Sequence, residues 1–368
     1  MNILILIDSM NFGGAEKQAL LDANALVLGG HNVDLVCFHA GDLAGELDER
    51  VRLTVIAEKS YPARIRRVSG IIRSNHIDWL LAHMFRAEVV GSVSGWMTGR
   101  YVVLNEHGLG VKRGLLQRIG MYIVSRLADE VWCASDVCRQ FRVQRERVSR
   151  KKARVVYNCF TPFSGDQKNN DNKEINARRD EISRVTGSPP VIVGYVGRFD
   201  PVKRLPLLVD AAEQLREENI LFVLVGDGIE MDKVRSEVER RGLSEKFVLP
   251  GFVHNPHSYY KLFDIFVLPS VRESLSMSLL EAGSYAVPAI AFDVGGNGEI
   301  IKSGKTGSLV ADGDVDGLVQ SISELVCDQK KRLDMGRKAK EFVTTTFTGK
   351  ARMDVLLGIC SAVNSRVA

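Results

Sequence analysis

Two glutamates, Glu273 and Glu281, stand eight positions apart in the segment ESLSMSLLEAG, which follows an apolar stretch. The spacing of apolar residues predicts a helix over about 275–285, with Glu273 in the preceding loop and Glu281 about two turns inside. Residues 274–276 would then present the unpaired N–H groups of the helix start. A helix-capping residue and a surface charge would look the same in sequence, so the pair of glutamates carries little weight without its flanking residues.

Two cations mark a second candidate position, at the end of the apolar stretch 191–196. Arg198 follows the sequence GYVG, and Lys203 stands at the start of the next predicted helix. A cation pair at a strand-to-helix turn suits an anion, because the helix N-terminus adds a partial positive charge. Taken alone, a pair of surface cations is an equal alternative. The segment GDG at 226–228 would let the backbone turn sharply beside a ligand, which is a weak signal by itself.

These residues must be positioned by strands and helices, whose signals alternate along the chain. Short apolar stretches rich in β-branched residues predict strands, and segments with a 3.6-residue apolar period lie between them. Such alternation implies parallel sheets covered by helices on both faces, which bind ligands at the carboxyl ends of their strands. The predicted strands are 2–8, 33–38, 51–56, 79–83, 101–105, 131–134, 155–157, 191–196, 220–225, 247–249, 265–268 and 289–292.

The segment 164–176 interrupts this pattern, because it is almost wholly polar and rich in asparagine, as loops are. A linker is therefore predicted between about 160 and 188. The fold class that follows is α/β, with two doubly wound, Rossmann-like domains whose parallel sheets face each other across a cleft. The predicted domains are N-terminal, residues 1–165, and C-terminal, residues 186–348, and the chain is expected to end in helices from about residue 314 onward.

Composition excludes several classes of protein. The 368 residues are 45% hydrophobic and 26% charged, so a wholly disordered, collagen-like or coiled-coil chain is excluded. No apolar run approaches the roughly 18–20 residues that cross a bilayer. The first ten residues lack the pattern of a signal peptide, and the six cysteines form no C-x-x-C pair. Both features predict free thiols in a reducing, cytoplasmic compartment.

The net charge of +4 is unevenly distributed, since residues 1–160 carry 22 Lys and Arg against 16 Asp and Glu. Basic residues concentrate at 64–73 and again at 139–154, and such clusters suit nucleic acid, anionic lipid or a phosphorylated substrate. The second stretch is interpreted as a solvated helix face followed by a basic loop. Nucleic acid is the least favoured partner, because only Phe141 interleaves there and no nucleic-acid module signature is present.

Taken together, the motifs resemble those of the retaining nucleotide-sugar glycosyltransferases of family 4, which adopt the GT-B fold. The resemblance runs over nearly the whole chain, and it is the order and spacing of the motifs that make it specific. The matching segments are GGAE at 13–16, NEHG at 105–108, VGR at 196–198 with Lys203, VGDG at 225–228, the Glu-x7-Glu box at 273–281 and GGxxE at 295–299.

The resemblance implies a donor site and a role for each of its residues. Arg198 and Lys203 would hold the donor diphosphate, Glu281 the ribose and Glu273 the transferred sugar. A final helix over 349–363 would cross back to the N-terminal domain. Further donor-site residues would be Gly13 and Gly14 near the diphosphate, Ser274, Leu275 and Ser276 through their N–H groups, Val253 near the base and His107 near the sugar, with His107 and Glu273 as the catalytic pair.

No metal ion and no cofactor are expected. Departure of a nucleoside diphosphate places negative charge on the β-phosphate, which fixed cations and helix N–H groups stabilise without a metal. Asp312, Asp314 and Asp316 match a D-x-D metal pattern, but their setting beside Gly313 favours turn and helix-capping roles. The serines of the segment SLS at 274–276 replace the glycines common after the first glutamate of the box. The donor sugar is therefore open, and a UDP-linked hexose or N-acetylhexosamine is expected on frequency alone.

The expected acceptor is a glycan or a lipid-linked molecule in cell-envelope polysaccharide or glycolipid synthesis. Its phosphate and the basic N-terminal domain together suggest peripheral contact with an anionic membrane at the inner face. Helix 115–127, whose residues Leu115, Ile119, Ile123 and Leu127 share a face, is expected to belong to the core rather than to lie on a membrane. Three alternatives stay open: a nucleotide-sugar epimerase of the same fold, a dinucleotide-dependent oxidoreductase and a non-catalytic sugar-binding protein. The oxidoreductase is disfavoured because the third glycine of its fingerprint is missing.

Overall fold

The computed structural model describes residues 1–108, 114–160 and 189–367, so most of the predicted linker lies outside the described residues. The chain divides into two compact units. The first contains Met1–Cys159 together with Phe347–Ala368, and the second contains Phe160–Thr346. Each unit is a parallel sheet covered by helices, which confirms the predicted α/β fold class.

The first unit is built on a seven-stranded parallel sheet in the order β3-β2-β1-β4-β5-β6-β7. Its central strands are apolar on both faces, because helices cover both sides, and Ile3–Ile7 are completely buried. The strands are β1 Asn2–Ser9, β2 Asn32–His39, β3 Arg52–Val55, β4 Trp79–His83, β5 Tyr101–Glu106, β6 Glu130–Cys133 and β7 Ala153–Val155. The helices are α1 Gly14–Leu28, α2 Tyr61–Ser74, α3 Phe85–Thr98, α4 Leu115–Leu127 and α5 Asp136–Arg145.

The second unit is built on a six-stranded parallel sheet in the order β10-β9-β8-β11-β12-β13. The strands are β8 Val191–Val196, β9 Ile220–Val225, β10 Phe247–Gly251, β11 Ile265–Leu268, β12 Ala289–Phe292 and β13 Gly307–Val310. The helices are α6 Pro206–Gln214, α7 Met231–Arg240, α8 His257–Leu262, α9 Met277–Ser284, α10 Asn297–Ile300, α11 Val315–Cys327 and α12 Gln329–Thr346. Strand β13 was not predicted from sequence.

The last helix, α13 Gly349–Val367, belongs to the first unit. Its apolar face joins the core beside β1 and α1 through Leu356, Ile359 and Val363. Arg352, also on this helix, is buried and forms a bidentate ion pair with Asp22 of α1, with Nε–Oδ1 and Nη2–Oδ2 distances of 2.7 and 2.6 Å. No helix of the described residues combines the length and apolar character needed to cross a membrane.

The prediction that the 119/123 face of α4 belongs to the core is wrong. Among the described side chains of this helix, Met121, Val124 and Ser125 are buried, whereas Ile119 is 47% and Ile123 53% exposed. The helix packs through Met121 and Val124 because α3 lies on that side, and its outward face is left apolar.

The interpretation of 139–154 as a solvated basic stretch is also wrong in part. Arg142 is completely buried and lies 3.2 Å from a Glu106 oxygen and 3.6 Å from a Glu88 oxygen, with Glu146 as a third partner. Arg139 pairs with Asp136. Glu146 and Asp136 are local helical partners at the i+4 and i−3 positions, whereas Glu88 and Glu106 come from distant elements that no local sequence pattern marks.

Candidate active site

The turns after β8 and β9 fit together backbone to backbone, and this contact requires glycine. Gly226 has φ +135°, and a Cβ atom there would lie 1.8 Å from the Gly197 carbonyl oxygen. The Gly197 N–H donates to the Val225 carbonyl at 3.0 Å. The glycines of VGDG therefore serve the packing of two strand ends, which explains them without a dinucleotide. This packing leaves the Arg198 side chain exposed at the carboxyl edge of the sheet.

Lys203 and Glu273 meet directly at the same edge. Lys203 ends a short 3-10 turn, Pro201–Lys203, which Asp200 caps by accepting the Val202 N–H at 2.9 Å. Its Nζ lies 2.6 Å from Glu273 Oε1, and the Ser270 hydroxyl donates to the same oxygen at 2.7 Å. Both side chains keep some exposure, 19% for Lys203 and 12% for Glu273. A cation and a carboxylate are thus held side by side within reach of solvent.

The backbone of Glu273 is fixed by the glycines that follow β12. The Gly296 N–H donates to the Glu273 carbonyl at 3.2 Å. Gly295 has φ +55°, and a Cβ atom there would lie 1.6 Å from that carbonyl oxygen. The first residue of the GGxxE segment must therefore be glycine, because only glycine permits this close approach of two backbones.

Helix α9 begins two residues later than predicted. Ser276 is its N-cap and accepts the Leu279 N–H at 3.4 Å, and Leu275 is buried just before it. The Ser274 hydroxyl is buried with no hydrogen-bond partner among the described residues. Glu281 consequently lies one turn inside the helix rather than two.

The Glu281 carboxylate is 8% exposed and accepts a hydrogen bond from the Tyr260 hydroxyl at 2.7 Å. Burial, followed by the Glu281 carboxylate, raises the pKa of Tyr260 well above its usual value, so the phenol keeps its proton and donates. Tyr195 is a second buried phenol, and its hydroxyl donates to the Arg198 carbonyl at 2.9 Å. Burial and then Glu273 raise the pKa of Tyr195, while Arg198 opposes them.

Tyr195, Tyr260 and Ser270 are site residues that sequence reasoning missed. Ser270 alone had a usable signal, since it precedes Glu273 by three positions, the separation at which a serine hydroxyl can reach a glutamate. Tyr260 has none, because its partner Glu281 is 21 positions away on another helix, and Tyr195 reads as one more buried residue of strand β8. The remaining base-site candidate, Val253, is half-buried in the loop after β10, beside the 51% exposed Phe252.

The second unit therefore assembles its site where the strand order reverses, with β9 on one side of β8 and β11 on the other. Arg198 and Lys203 follow β8, Glu273 follows β11 and Gly295 follows β12. This reversal point is where open α/β sheets bind ligands. One exposed cation, one exchangeable ion pair and a buried carboxylate can together hold an anion and several hydroxyl groups.

In the first unit, the predicted residues Gly13, Gly14 and His107 follow strands β1 and β5. Gly13 is the N-cap of α1 in extended backbone, and an added Cβ atom would lie 2.3 Å from Glu16 Oε2. Gly14 is the first residue of the helix. The GGAE segment is thus a helix start whose glutamate folds back over Gly13. The roles that the resemblance gives these three residues toward a donor stay predictions.

His107 is hydrogen-bonded to a second histidine, His83 at the end of β4, with 2.9 Å between its Nε2 and His83 Nδ1. The Asn105 amide nitrogen lies 3.3 Å from the same His83 atom. On the far side, His83 Nε2 lies 3.8 Å from Asp22, the carboxylate paired with Arg352. His83 was missed from the sequence, because nothing local marks it as a partner of residue 107.

Both histidines of this contact are neutral. Burial lowers the pKa of His83 and of His107 well below the usual value. In the contact between the two rings, one of His83 Nδ1 and His107 Nε2 donates and the other accepts. His107 Nδ1 is buried without a partner among the described residues. The contact with His83 thus holds the neutral His107 ring in a fixed orientation.

Two family models match the chain, Glycosyltransferase Family 4 over residues 12–162 and Glycosyl transferases group 1 over residues 178–342. The chain belongs to glycosyltransferase family 4. Among solved structures, Anabaena HepE in complex with UDP superposes with a TM-score of 0.84 at 20% identity, covering 98% of this chain and 100% of that one. Sucrose-phosphate synthase from Thermosynechococcus elongatus gives 0.82 at 18% identity with full coverage of both. The fold is GT-B.

Curated relatives of this family 4 enzyme are glycosyltransferases as well. An Escherichia coli protein named UDP-Gal:alpha-D-GlcNAc-diphosphoundecaprenol alpha-1,3-galactosyltransferase is 23% identical over 93% of this chain and 92% of its own length. The N-acetyl-alpha-D-glucosaminyl L-malate synthase of Bacillus anthracis is 32% identical over 42% of this chain and 41% of its own. The activity class predicted from the motifs, glycosyl transfer, is thereby confirmed.

Two aspartates of the D-x-D segment have structural roles in the glycosyltransferase. Asp314 is the N-cap of α11 and accepts the Gly317 N–H at 2.9 Å, and Asp312 pairs with Arg204. Within the described residues, no group of three His, Cys, Asp or Glu side chains is arranged to hold a metal ion. The helix-capping prediction for this segment is confirmed at Asp314.

Proposed function

We propose that the enzyme transfers a hexose or an N-acetylhexosamine from a UDP-sugar, with retention of anomeric configuration, to a glycan or lipid-linked acceptor. The reaction would belong to cell-envelope polysaccharide or glycolipid synthesis. The observation that carries the donor part is the Lys203–Glu273 pair beside the exposed Arg198, at the reversal point of the second sheet. The relative named for UDP-Gal and the UDP-bound HepE support uridine as the base.

The pair offers a simple order of events on donor binding. Lys203 would exchange Glu273 for the donor phosphate, which frees the Glu273 carboxylate to accept hydrogen bonds from the sugar. As the bond from the anomeric carbon to the β-phosphate oxygen breaks, its electron pair stays with the phosphate. Arg198 and Lys203 stabilise that charge more in the transition state than before it. Because two fixed cations take this role, no metal ion is required.

A thermal-shift panel of UDP, GDP and ADP tests the donor assignment. A bound nucleotide stabilises the folded enzyme by mass action, so UDP is expected to raise the melting temperature more than GDP or ADP. Lys203→Ala and Glu281→Gln should reduce the shift. Lys233→Ala and Glu239→Gln, on the solvent side of α7, are the matched controls and should keep it. Equal shifts in all four variants would contradict the site.

Peripheral contact with the inner face of the cell membrane is the second part of the proposal, and α4 supports it. Ile119, Tyr122 and Ile123 are exposed on its outward face. Arg118 and Arg126 lie on the same helix, the latter with its guanidinium 4.8 Å from the Tyr122 ring centre. Apolar residues with flanking cations are typical of a helix that lies at an anionic bilayer surface.

Co-sedimentation with vesicles of phosphatidylglycerol and phosphatidylcholine tests the membrane contact. We expect binding at low salt that falls at high salt, and a loss of binding in Ile119→Ser/Ile123→Ser. Ile229→Ser is the control, because Ile229 is 84% exposed in the other unit. Indifference of the wild-type enzyme to anionic lipid would refute this part and leave the donor assignment intact.

A further inference from the structure

The first unit contains a cavity of about 450 Å³ whose lining includes none of the predicted site residues. It is formed where α2, α3 and α4 begin, at the carboxyl edge of the seven-stranded sheet. Its size lies in the range of small-molecule sites. Six side chains line it: Lys59, Tyr61, Arg64, Phe85, Arg86 and Gln117.

Three of these side chains are cations whose charge is not neutralised locally. Among the described residues, no carboxylate lies within ion-pair distance of Lys59, Arg64 or Arg86. Arg64 is buried, with its guanidinium 4.0 Å from the centre of the Phe38 ring, and its Nε donates to the Glu58 carbonyl at 2.7 Å. Lys59 and Arg86 are exposed at the mouth. A buried guanidinium without a counter-ion favours a ligand that supplies negative charge.

The acid that faces these cations is Asp8, at the end of β1. Its carboxylate is occupied by the Ala87 N–H at 2.8 Å. Burial raises the pKa of Asp8, although Arg86 and Arg64 act against that rise. The six lining residues include three cations and no acid, so the cavity keeps an excess of positive charge even with Asp8 ionised.

A strained turn holds the cavity wall in place. Met84 has φ +73°, a backbone conformation that residues with a side chain rarely adopt. The residue stands between His83, which orients His107, and the pair Phe85 and Arg86 of the cavity. Met84 thus connects the strand end that carries His83 to two of the residues that line the cavity.

We propose that this cavity binds the phosphate groups of the acceptor and that the acceptor is a sugar diphosphate attached to a lipid. The inference rests on the proposed transferase function. Two guanidinium groups and one ammonium match the charge and the several acceptor oxygens of a diphosphate. Tyr61 and Phe85 supply flat apolar walls for the groups attached to it.

The attached group is a lipid because the helix that begins at the cavity also carries an exposed apolar surface. Gln117 lines the cavity on the inward face of α4, the face of the buried Met121 and Val124, and Ile119, Tyr122 and Ile123 are exposed on the opposite, outward face. A free phosphate or a soluble sugar phosphate would fill the cationic cavity but would leave this surface without a function.

Calorimetric titration with farnesyl diphosphate, in saturating UDP so that the donor site is blocked, tests the inference. We expect wild-type enzyme to bind it, and Lys59→Gln/Arg86→Gln to bind it on the order of 100-fold more weakly, since each charge-assisted hydrogen bond is worth about tenfold or more. Both side chains are exposed, so this variant should fold. The control Arg66→Gln/Arg67→Gln removes the same charge from exposed positions of α2 outside the cavity and should stay within about twofold of wild type.

Inorganic pyrophosphate under the same conditions separates the two sources of a diphosphate. Binding about tenfold or more weaker than that of farnesyl diphosphate supports a lipid-linked ligand, and equal affinity overturns that part. Equal losses in the two double variants would mean that the effect is one of overall charge, and the inference fails. UDP-induced stabilisation is measured in parallel. If it is normal while farnesyl diphosphate binds wild type and Lys59→Gln/Arg86→Gln equally, only this inference fails. Its absence would instead overturn the proposed function.

Discussion

Two groups of polar residues, one at the carboxyl edge of each sheet, differ in burial and in charge. In the first unit, Asp22, His83 and His107 lie in a buried chain that is either neutral or closed by the Arg352 ion pair. In the second unit, Lys203 and Glu273 share a partly exposed ion pair, and Arg198 is exposed. The buried chain of the first unit holds uncharged rings in fixed orientations, whereas the cluster of the second unit holds charges that can exchange partners.

The difference follows from what charge costs in each place. A buried ion that is already paired in the folded protein cannot take a ligand without breaking that pair. A charge that retains contact with water changes partners at little cost. The proposed donor-phosphate groups therefore lie in the partly exposed cluster of the second unit, while the buried chain of the first unit holds its histidine rings in a fixed orientation.

Removing the cation from each pair should give the largest contrast. Arg352→Met leaves Asp22 buried without its counter-ion and should cost about 3–5 kcal/mol of stability. Lys203→Met, with both partners partly exposed, should cost at most about 1 kcal/mol. All three tryptophans lie before residue 160, so urea unfolding followed by their fluorescence reports on the first unit, and circular dichroism reports on both. Equal losses would contradict the comparison.

Loss of Lys203 should affect turnover far more than it affects stability. Lys203→Ala is expected to lower turnover by ~10²–10³, the usual loss for one group that stabilises transition-state charge. Lys233→Ala, which removes a 66% exposed lysine of the same unit, is the control. Near-normal turnover in Lys203→Ala would show that the exchangeable pair is not part of the donor site.

Most of the fold could be predicted from sequence, because buried parallel strands are short apolar stretches between turns. Strands β4, β8, β9, β11 and β12 have the bounds that the sequence predicted. Strand β13 was missed because it is four residues long, lies at the sheet edge and begins with Gly307. That glycine has a tertiary reason: a Cβ atom there would lie 2.2 Å from the Ala289 carbonyl oxygen of β12.

The site was predictable only where its residues share a segment. The Glu-x7-Glu box, Arg198 and Lys203 carry signals in neighbouring residues, and the structure brings Lys203 and Glu273 together. Tyr260 and His83 depend on partners 21 and 24 positions away, and no local pattern marks such pairs. The prediction that Ile119 and Ile123 belong to the core failed for a related reason, since helical periodicity identifies an apolar face but not what covers it.

The glycine behind Glu273 offers a way to disturb the exposed edge without removing charge. Gly295→Ala adds a Cβ atom onto the Glu273 carbonyl at φ +55°, so the Glu273 loop must shift. A displacement of about 1 Å at a reacting centre costs about 10²-fold, and we expect turnover to fall by that order while UDP-induced stabilisation changes little. Gly304→Ala is the matched control, because Gly304 has φ +74° with no atom within 4 Å of its added Cβ. If both variants lose turnover equally, backbone strain alone is responsible.

The two buried histidines should make the stability of the first unit depend on pH. His83 and His107 have pKa values well below the ordinary 6.5, so below that pH the unfolded chain binds protons that the folded first unit does not. Stability is therefore full above about pH 6.5 and falls as the pH drops, by up to ~1.4 kcal/mol per pH unit for each histidine. Urea unfolding by tryptophan fluorescence at pH 7, 6 and 5 measures the slope. His107→Asn should remove one histidine's share, whereas His76→Asn, at an exposed position, should leave the slope unchanged. Protonation of folded His107 near pH 6.5, seen by nitrogen NMR of its ring, would contradict a neutral, buried pair of histidines.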